Sequence, residues 1–152
     1  MERFRAKNVT RGNLQFSVSD VAAKSQFIGL IFAAHSCPSC RNFLPFLEKF
    51  RSEIAPGNSF NVIFASYDKT LAGMQGLLKS YPEWYALPWN DPDILELADV
   101  YDIDGIPTLI ILRQDLSLVT IHGRDDIMLY KHKTWQNWCD TKPPSATTSQ
   151  QE

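Results

Sequence analysis

The sequence predicts an α/β fold: a mixed central sheet with helices on both faces. Three observations carry that prediction. Short apolar runs rich in β-branched or aromatic residues recur at 27–34, 60–66 and 108–113, each of strand length and continuous enough to be buried on both faces. Stretches with three- and four-residue apolar spacing separate them, as helices would. A fourth short run, 118–121, follows the third across a tight turn and supplies an antiparallel partner. The order β-α-β-α-β-β-α, with its first pair of buried strands joined through a helix, mixes parallel and antiparallel pairing.

Residues 1–13 are polar and show no clear period. Leu14-Gln15-Phe16-Ser17-Val18 alternates apolar and polar, the pattern of a half-buried strand. Ser19 and Asp20 are placed to cap a short helix over 21–25. After the first buried run comes a turn and then a helix over 38–54, with Phe43, Phe46, Leu47, Phe50 and Ile54 on one face. Pro45 inside it removes a backbone hydrogen bond and predicts a kink. A helix over 70–81 contains Gly73 and Gly76. A loop rich in Pro and Trp follows, and Asp91 with Pro92 opens a helix over 92–101. The last helix spans 125–140, apolar at Ile127, Trp135 and Trp138.

At 152 residues, with 44% hydrophobic and 21% charged residues, the chain suits one globular domain, taken as 1–141. The end, 142–152, reads KPPSATTSQQE, has almost nothing to bury and is expected to be disordered. A net charge of -2 argues against nucleic acid as a partner, because phosphate binding needs a basic face. No apolar run reaches the roughly 20 residues of a membrane span. The charged start, Met1 to Asn8, is unlike a secretion signal, and three cysteines are too few for a disulfide scaffold. The expected location is cytoplasmic, with the nucleus as the other compartment, and the expected state is a monomer.

The chemistry concentrates in Ala33-Ala34-His35-Ser36-Cys37-Pro38-Ser39-Cys40-Arg41. A Cys-x-x-Cys between a buried strand and a helix sets its first sulfur at the helix start. Free N–H groups and the helix dipole there favour a thiolate, whose pKa falls from about 8.5 towards neutrality. Pro38 suits the first helical turn. Cys40 lies one turn in, more shielded, within reach of a mixed disulfide on Cys37. Two other readings stand beside this one: half of a zinc site, with Cys139, His35, His122 or His132 to complete it, and a pair of inert buried thiols. Placement between strand and helix favours redox chemistry, with no metal and no organic cofactor.

Several stretches together resemble the tryparedoxin and nucleoredoxin branch of the thioredoxin superfamily. They are FAAHSCPSCRNFLPFLEKF, VIFASYD, WYALPW, DVYDIDGIPTLIIL with the following HGRDDI, and the closing WQNWCD. The resemblance covers about two thirds of the chain. It implies a thioredoxin-like fold and a thiol–disulfide oxidoreductase in which Cys37 attacks protein disulfides and Cys40 resolves. It also implies that the Ile106–Pro107 bond is cis and lies beside Cys37, leaving the Ile106 backbone free to pair with an extended substrate. The substrate surface would then comprise Ile106, Pro107, Ser36, Pro38 and Ser39, with Trp84 and Trp89 joining it unless their rings pack on the sheet edge instead. Electrons would come from a low-molecular-weight thiol or a reductase. A redox-sensing interaction module with little turnover is the alternative.

The sequence departs from the family at two points, Ser36 and Ser39, and at a third, Ile31, it agrees with this branch while differing from many other thioredoxins. Ser36 stands where the family has Trp, so an apolar lid beside the thiolate is missing. Ser39 replaces a frequent Pro. Ile31 occupies the place of the buried acid found in many thioredoxins, so proton handling at Cys40 falls to another group or to water. The resemblance offers Asp68, which could equally cap the helix after it. His35 is read as a solvated turn residue that can also stabilise the thiolate, and Arg41 as facing a charged partner or solvent. Cys139, beside two tryptophans, is expected to be a small buried hydrophobe.

Overall fold

The three apolar runs form the middle of one seven-stranded sheet in the computed structural model, which describes residues 2–143. In chain order the elements are α1 (Glu2–Arg5), β1 (Asn8–Arg11), β2 (Leu14–Ser17), α2 (Val18–Ala23), β3 (Phe27–Ala33) and α3 (Pro38–Lys49). A π turn (Phe50–Ile54), β4 (Phe60–Ser66), α4 (Leu71–Ser80), β5 (Tyr85–Ala86) and α5 (Pro92–Val100) follow. The chain continues through β6 (Thr108–Arg113), β7 (Leu118–Thr120), α6 (Gly123–Tyr130), a 3-10 turn (Lys131–Lys133) and α7 (Thr134–Asp140). The sheet order is β2-β1-β5-β4-β3-β6-β7.

The sheet is mixed, as expected. Strand β3 pairs in parallel with β4 from Phe27↔Phe60 to Ala33↔Ser66, and antiparallel with β6 from Phe27↔Arg113 to Phe32↔Thr108. Every residue of β3 is buried, because helices cover both faces. Alternation divides its side chains between two cores. Phe27, Ile31 and Ala33 pack with α3, α4, Trp135 and Trp138, whereas Ile28, Leu30 and Phe32 pack with α2, α5 and Phe4 of α1. No helix among the described residues is long and apolar enough to cross a membrane.

Several boundaries differ from expectation for identifiable reasons. Residues 1–13, in which the sequence shows no clear period, hold α1 and β1, and β1 pairs with β2 along Asn8↔Ser17 to Arg11↔Leu14. Four-residue elements are too short to show a period. Helix α2 starts at Val18 and not at Val21, because Ser17 rather than Ser19 is the N-cap, in a capping box with Asp20. Phe46 is exposed, since the buried stripe of α3 turns through Cys40, Phe43, Leu44 and Leu47, and Leu44 takes the place expected of Phe46. Helix 38–54 is α only to Lys49 and then winds as a π turn, closed by Ala55 N–H donating to the Phe50 carbonyl at 2.9 Å. The expected 125–140 helix divides at Lys131, whose φ of 51° lies in the left-handed region. The expected tail falls mostly outside the described residues.

Candidate active site

The site stands where β3 runs out into α3. Cys37 is the N-cap of α3, extended at φ -84° and ψ 116°, with Pro38 opening the first turn. Its Sγ accepts the Cys40 backbone N–H at 3.2 Å, so the sulfur occupies the place of a capping oxygen and receives one of the helix's unpaired donors. That contact and the helix dipole both stabilise negative charge on Cys37. The thiol is half-buried and reachable, whereas Cys40 is fully buried one turn further in. Burial, and after it the hydrogen bond with Cys37, pushes the Cys40 thiol up to about 12, while the Ala34 backbone and Arg124 pull weakly the other way.

On the far side of the sulfur lies the loop before β6. The Ile106–Pro107 bond is cis, and Cys37 Sγ lies 4.0 Å from the Ile106 carbonyl oxygen. Thr108 Oγ1 donates to the Gly105 carbonyl at 2.6 Å and holds the loop. Pro107 is buried, while Ile106 is half-buried and reachable, as are the exposed Ser36, Pro38 and Ser39 around the sulfur.

Asp68 has a role that the sequence reading did not assign. Its Oδ1 accepts the His35 backbone N–H at 2.7 Å, and its Oδ2 accepts the Ser66 hydroxyl at 2.7 Å. The carboxylate thus ties the loop carrying Cys37 to the end of β4. It does not cap α4: Thr70 does, accepting the Gly73 N–H at 3.0 Å. The signal lay in the register. Ala33 and Ser66 are partners at the ends of two parallel strands, so residues two further on, His35 and Asp68, must be neighbours. The two glycines of α4 serve the same junction. A Cβ on Gly73 would sit 3.1 Å from Asp68 Oδ1, and one on Gly76 3.3 Å from the His35 ring.

The aromatic loop divides. Trp89 is half-buried beside the site, its indole N–H donating to the Asp68 carbonyl at 3.1 Å. Trp84 is not a substrate contact: it is 1% exposed, stacked on Tyr81 at 4.2 Å, and donates to Glu48 Oε1 at 2.8 Å. An indole flanked by a partner for its N–H and by a second ring is better packed inside than presented to solvent. Cys139 also departs from expectation. It is exposed, with Gln26 Nε2 donating to its sulfur at 3.3 Å, because Trp135 and Trp138 occupy the inward side of α7. Among the described residues no group of three or more His, Cys, Asp and Glu gathers as a metal site.

A dithiol at the strand–helix junction, facing a cis-proline loop, is the site arrangement of the thioredoxin-like class of proteins. Residues 25–118 match the family described as thioredoxin-like, and the chain belongs to that family. It is 38% identical over 125 residues to probable nucleoredoxin 3 of Oryza sativa subsp. japonica, covering 80% of this chain and 26% of that protein. The chain therefore spans about a quarter of the length of that curated relative. Native tryparedoxin I from Crithidia fasciculata superposes with a TM-score of 0.74 at 25% identity, covering 84% of this chain and 88% of that one. A tryparedoxin II complexed with glutathionylspermidine gives 0.71 at 27% identity, covering 80% and 85%. These likenesses place the chain on the tryparedoxin and nucleoredoxin branch.

Proposed function

We propose that this chain reduces protein disulfides through Cys37 and Cys40. The observation that carries the proposal is the division of labour between the two thiols: Cys37 is reachable and held as a helix N-cap, and Cys40 is buried directly behind it. The Cys37 thiolate attacks one sulfur of the substrate disulfide, forms a mixed disulfide and releases the first substrate thiolate. Cys40 then gives up its proton to solvent or to the departing thiolate, attacks the Cys37 sulfur and releases the second substrate thiol. Two electrons pass to the substrate, and the protein is left as a Cys37–Cys40 disulfide. A substrate strand pairs with the Ile106 backbone and lies across Ser36, Pro38, Ser39 and Trp89.

Regeneration needs two electrons from a low-molecular-weight thiol or a reductase, and the glutathionylspermidine complex of the tryparedoxin II relative supports the first. The exposed Ser36, in place of an apolar lid, favours a second reading: a redox-sensing module that binds a partner and turns over slowly. Insulin reduction with dithiothreitol separates the two. Rapid precipitation of insulin chains supports the reductase. Silence together with a stable, oxidation-dependent partner complex supports the module.

A further inference from the structure

The loop that carries Trp89 to the redox site is held mainly by side chains. At its ends, Leu87 N–H donates to the Phe64 carbonyl and Ile94 N–H to the Asp91 carbonyl, both at 3.0 Å. Between them, the N–H groups of Trp89, Asn90 and Asp91 donate to no backbone carbonyl among the described residues. A cavity of about 380 Å³ lies between this loop, the end of β4 and α5, and leaves the loop room to move. Asn90, which joins Trp89 to Asp91, has a φ of 58°, in the left-handed region. Trp89 itself is tied by its indole N–H to the Asp68 carbonyl.

The far end of the loop is fixed by Lys7. Its Nζ meets Asp91 Oδ2 at 2.5 Å and Asp93 Oδ2 at 2.7 Å. The three side chains are only 21%, 8% and 14% exposed, so this group is shielded in a way that a surface bridge is not. Lys7 is anchored away from the loop: its carbonyl accepts the Val18 N–H at 2.8 Å, and its N–H donates to the carbonyl of the buried Phe4 at 3.0 Å. Asp91 in turn caps α5, its Oδ1 accepting the Asp93 N–H at 2.9 Å. Without the ammonium, two shielded carboxylates two residues apart would repel each other, and the loop before them would give way.

We infer that Lys7 is a positioning residue of the substrate surface: through Asp91 it holds Trp89 where a disulfide-bearing protein lies. The inference rests on Trp89 touching the substrate, as proposed above. Lys7 acts on binding and not on exchange, because the N-cap contact of Cys37 and the burial of Cys40 involve neither Lys7 nor Asp91. The N-terminal segment thereby sets how firmly the substrate is held while the dithiol keeps its own geometry.

Insulin reduction, alkylation of Cys37 and the Trp89 indole N–H resonance, identified by its loss in Trp89→Phe, are measured on the same samples. Lys7→Met should raise KM for insulin about fivefold, the value of one hydrogen bond, and should leave kcat and the alkylation rate unchanged. Lys7→Arg should restore most of the loss. Arg3→Met removes an exposed cation from Asp93 and Glu96 without touching Asp91, and should leave KM as it is. Asp91→Asn keeps an oxygen to cap α5 but loses the charge, so it should raise KM as Lys7→Met does even if that variant folds poorly. Trp89→Phe should also raise KM, and adding Lys7→Met to it should raise KM no further. An unchanged KM in Trp89→Phe or in both Lys7→Met and Asp91→Asn, an equal rise in Arg3→Met, or additive effects in the double variant overturn the inference. The indole resonance reads the coupling without any turnover and should move in Lys7→Met and Asp91→Asn. A resonance that stays in place overturns the coupling, while one that moves in a protein unable to reduce insulin overturns the redox reading alone.

Discussion

Cys37 follows the carboxyl end of β3, and Cys139 sits beside Gln26, the residue ahead of the amino end of the same strand. Seven residues of strand set the two ends about 23 Å apart. Cys139 is the more exposed of the two thiols, yet its sulfur meets a side-chain amide, that of Gln26, and α7 carries it in its last turn. There the helix dipole opposes a thiolate. Cys37 is less exposed, but it heads a twelve-residue helix, receives a backbone N–H and has a second thiol directly behind it. On the proposed reading, the difference teaches that exposure alone would not make an exchanging thiol; position relative to the helix axis, together with a second thiol behind it, would.

Replacing thiols one at a time is the hardest test of that comparison. Cys37→Ser should reduce both insulin reduction and rapid alkylation near neutral pH to background. Cys40→Ser should keep the fast alkylation but strand the protein as mixed disulfides on non-reducing gels. Cys139→Ser should change neither. Fast alkylation surviving in Cys37→Ser would transfer the role to another thiol.

The next effects separate stability from chemistry at the two ends. Trp138→Ala, which empties a buried ring packed on Phe27, Phe50 and Phe60, should lower stability by about 3–5 kcal/mol. It should leave the Cys37 alkylation rate of the folded protein unchanged. Asp68→Ala should lower stability less, by about 1–2 kcal/mol, since it removes the bonds from the His35 N–H and the buried Ser66 hydroxyl, but should slow insulin reduction as the loop loosens. Urea unfolding and alkylation kinetics measured on the same samples test both.

A smaller effect follows from the buried thiol. The Cys40 thiol lies higher in the folded protein, about 12, than the ordinary value of 9.0. The folded state therefore holds its proton more tightly, and the associated stability is complete below about pH 9 and is lost as pH rises towards 12. Cys40→Ala should flatten that alkaline decline in urea midpoints, and an unchanged slope would assign it to other groups. The smallest expected change is in Ser36→Trp: an aromatic lid worth about 1 kcal/mol should raise insulin reduction roughly fivefold. Equal or lower turnover would mean that Ser36 is not what limits the site.

The middle of the fold was legible because its strands are buried on both faces, and nothing but a continuous apolar run satisfies that. The helix start at Asp91 was legible because its cap is a local hydrogen bond beside a proline, whereas for α4 the sequence offers Asp68 as a cap and the structure uses Thr70. Tertiary choices were not legible. No glycine or proline marks the break at Lys131, and Trp84 and Trp89 are separated by tertiary partners: Glu48 and the Tyr81 ring for Trp84, the Asp68 carbonyl for Trp89. Cys139 was misplaced by its neighbours: a residue next to a buried tryptophan on a helix turns about 100° away from it. In the site, Cys37, Cys40, Ile106 and Pro107 were readable from motif and resemblance, while Asp68 needed the strand register.

The pairing of β3 also sets the order in which the molecule opens. Seven pairs to β4 and six to β6 lock its amides between two long ladders, whereas the β1–β2 hairpin joins the rest of the sheet through the single pair Thr10↔Ala86. Native-state hydrogen exchange should therefore be fastest in the hairpin and slowest in β3. The redox loop is attached to the slowest-exchanging strand. Partial unfolding confined to the hairpin should therefore leave Cys37, Cys40 and the Ile106 loop assembled, so the dithiol should outlast the hairpin as the protein comes apart.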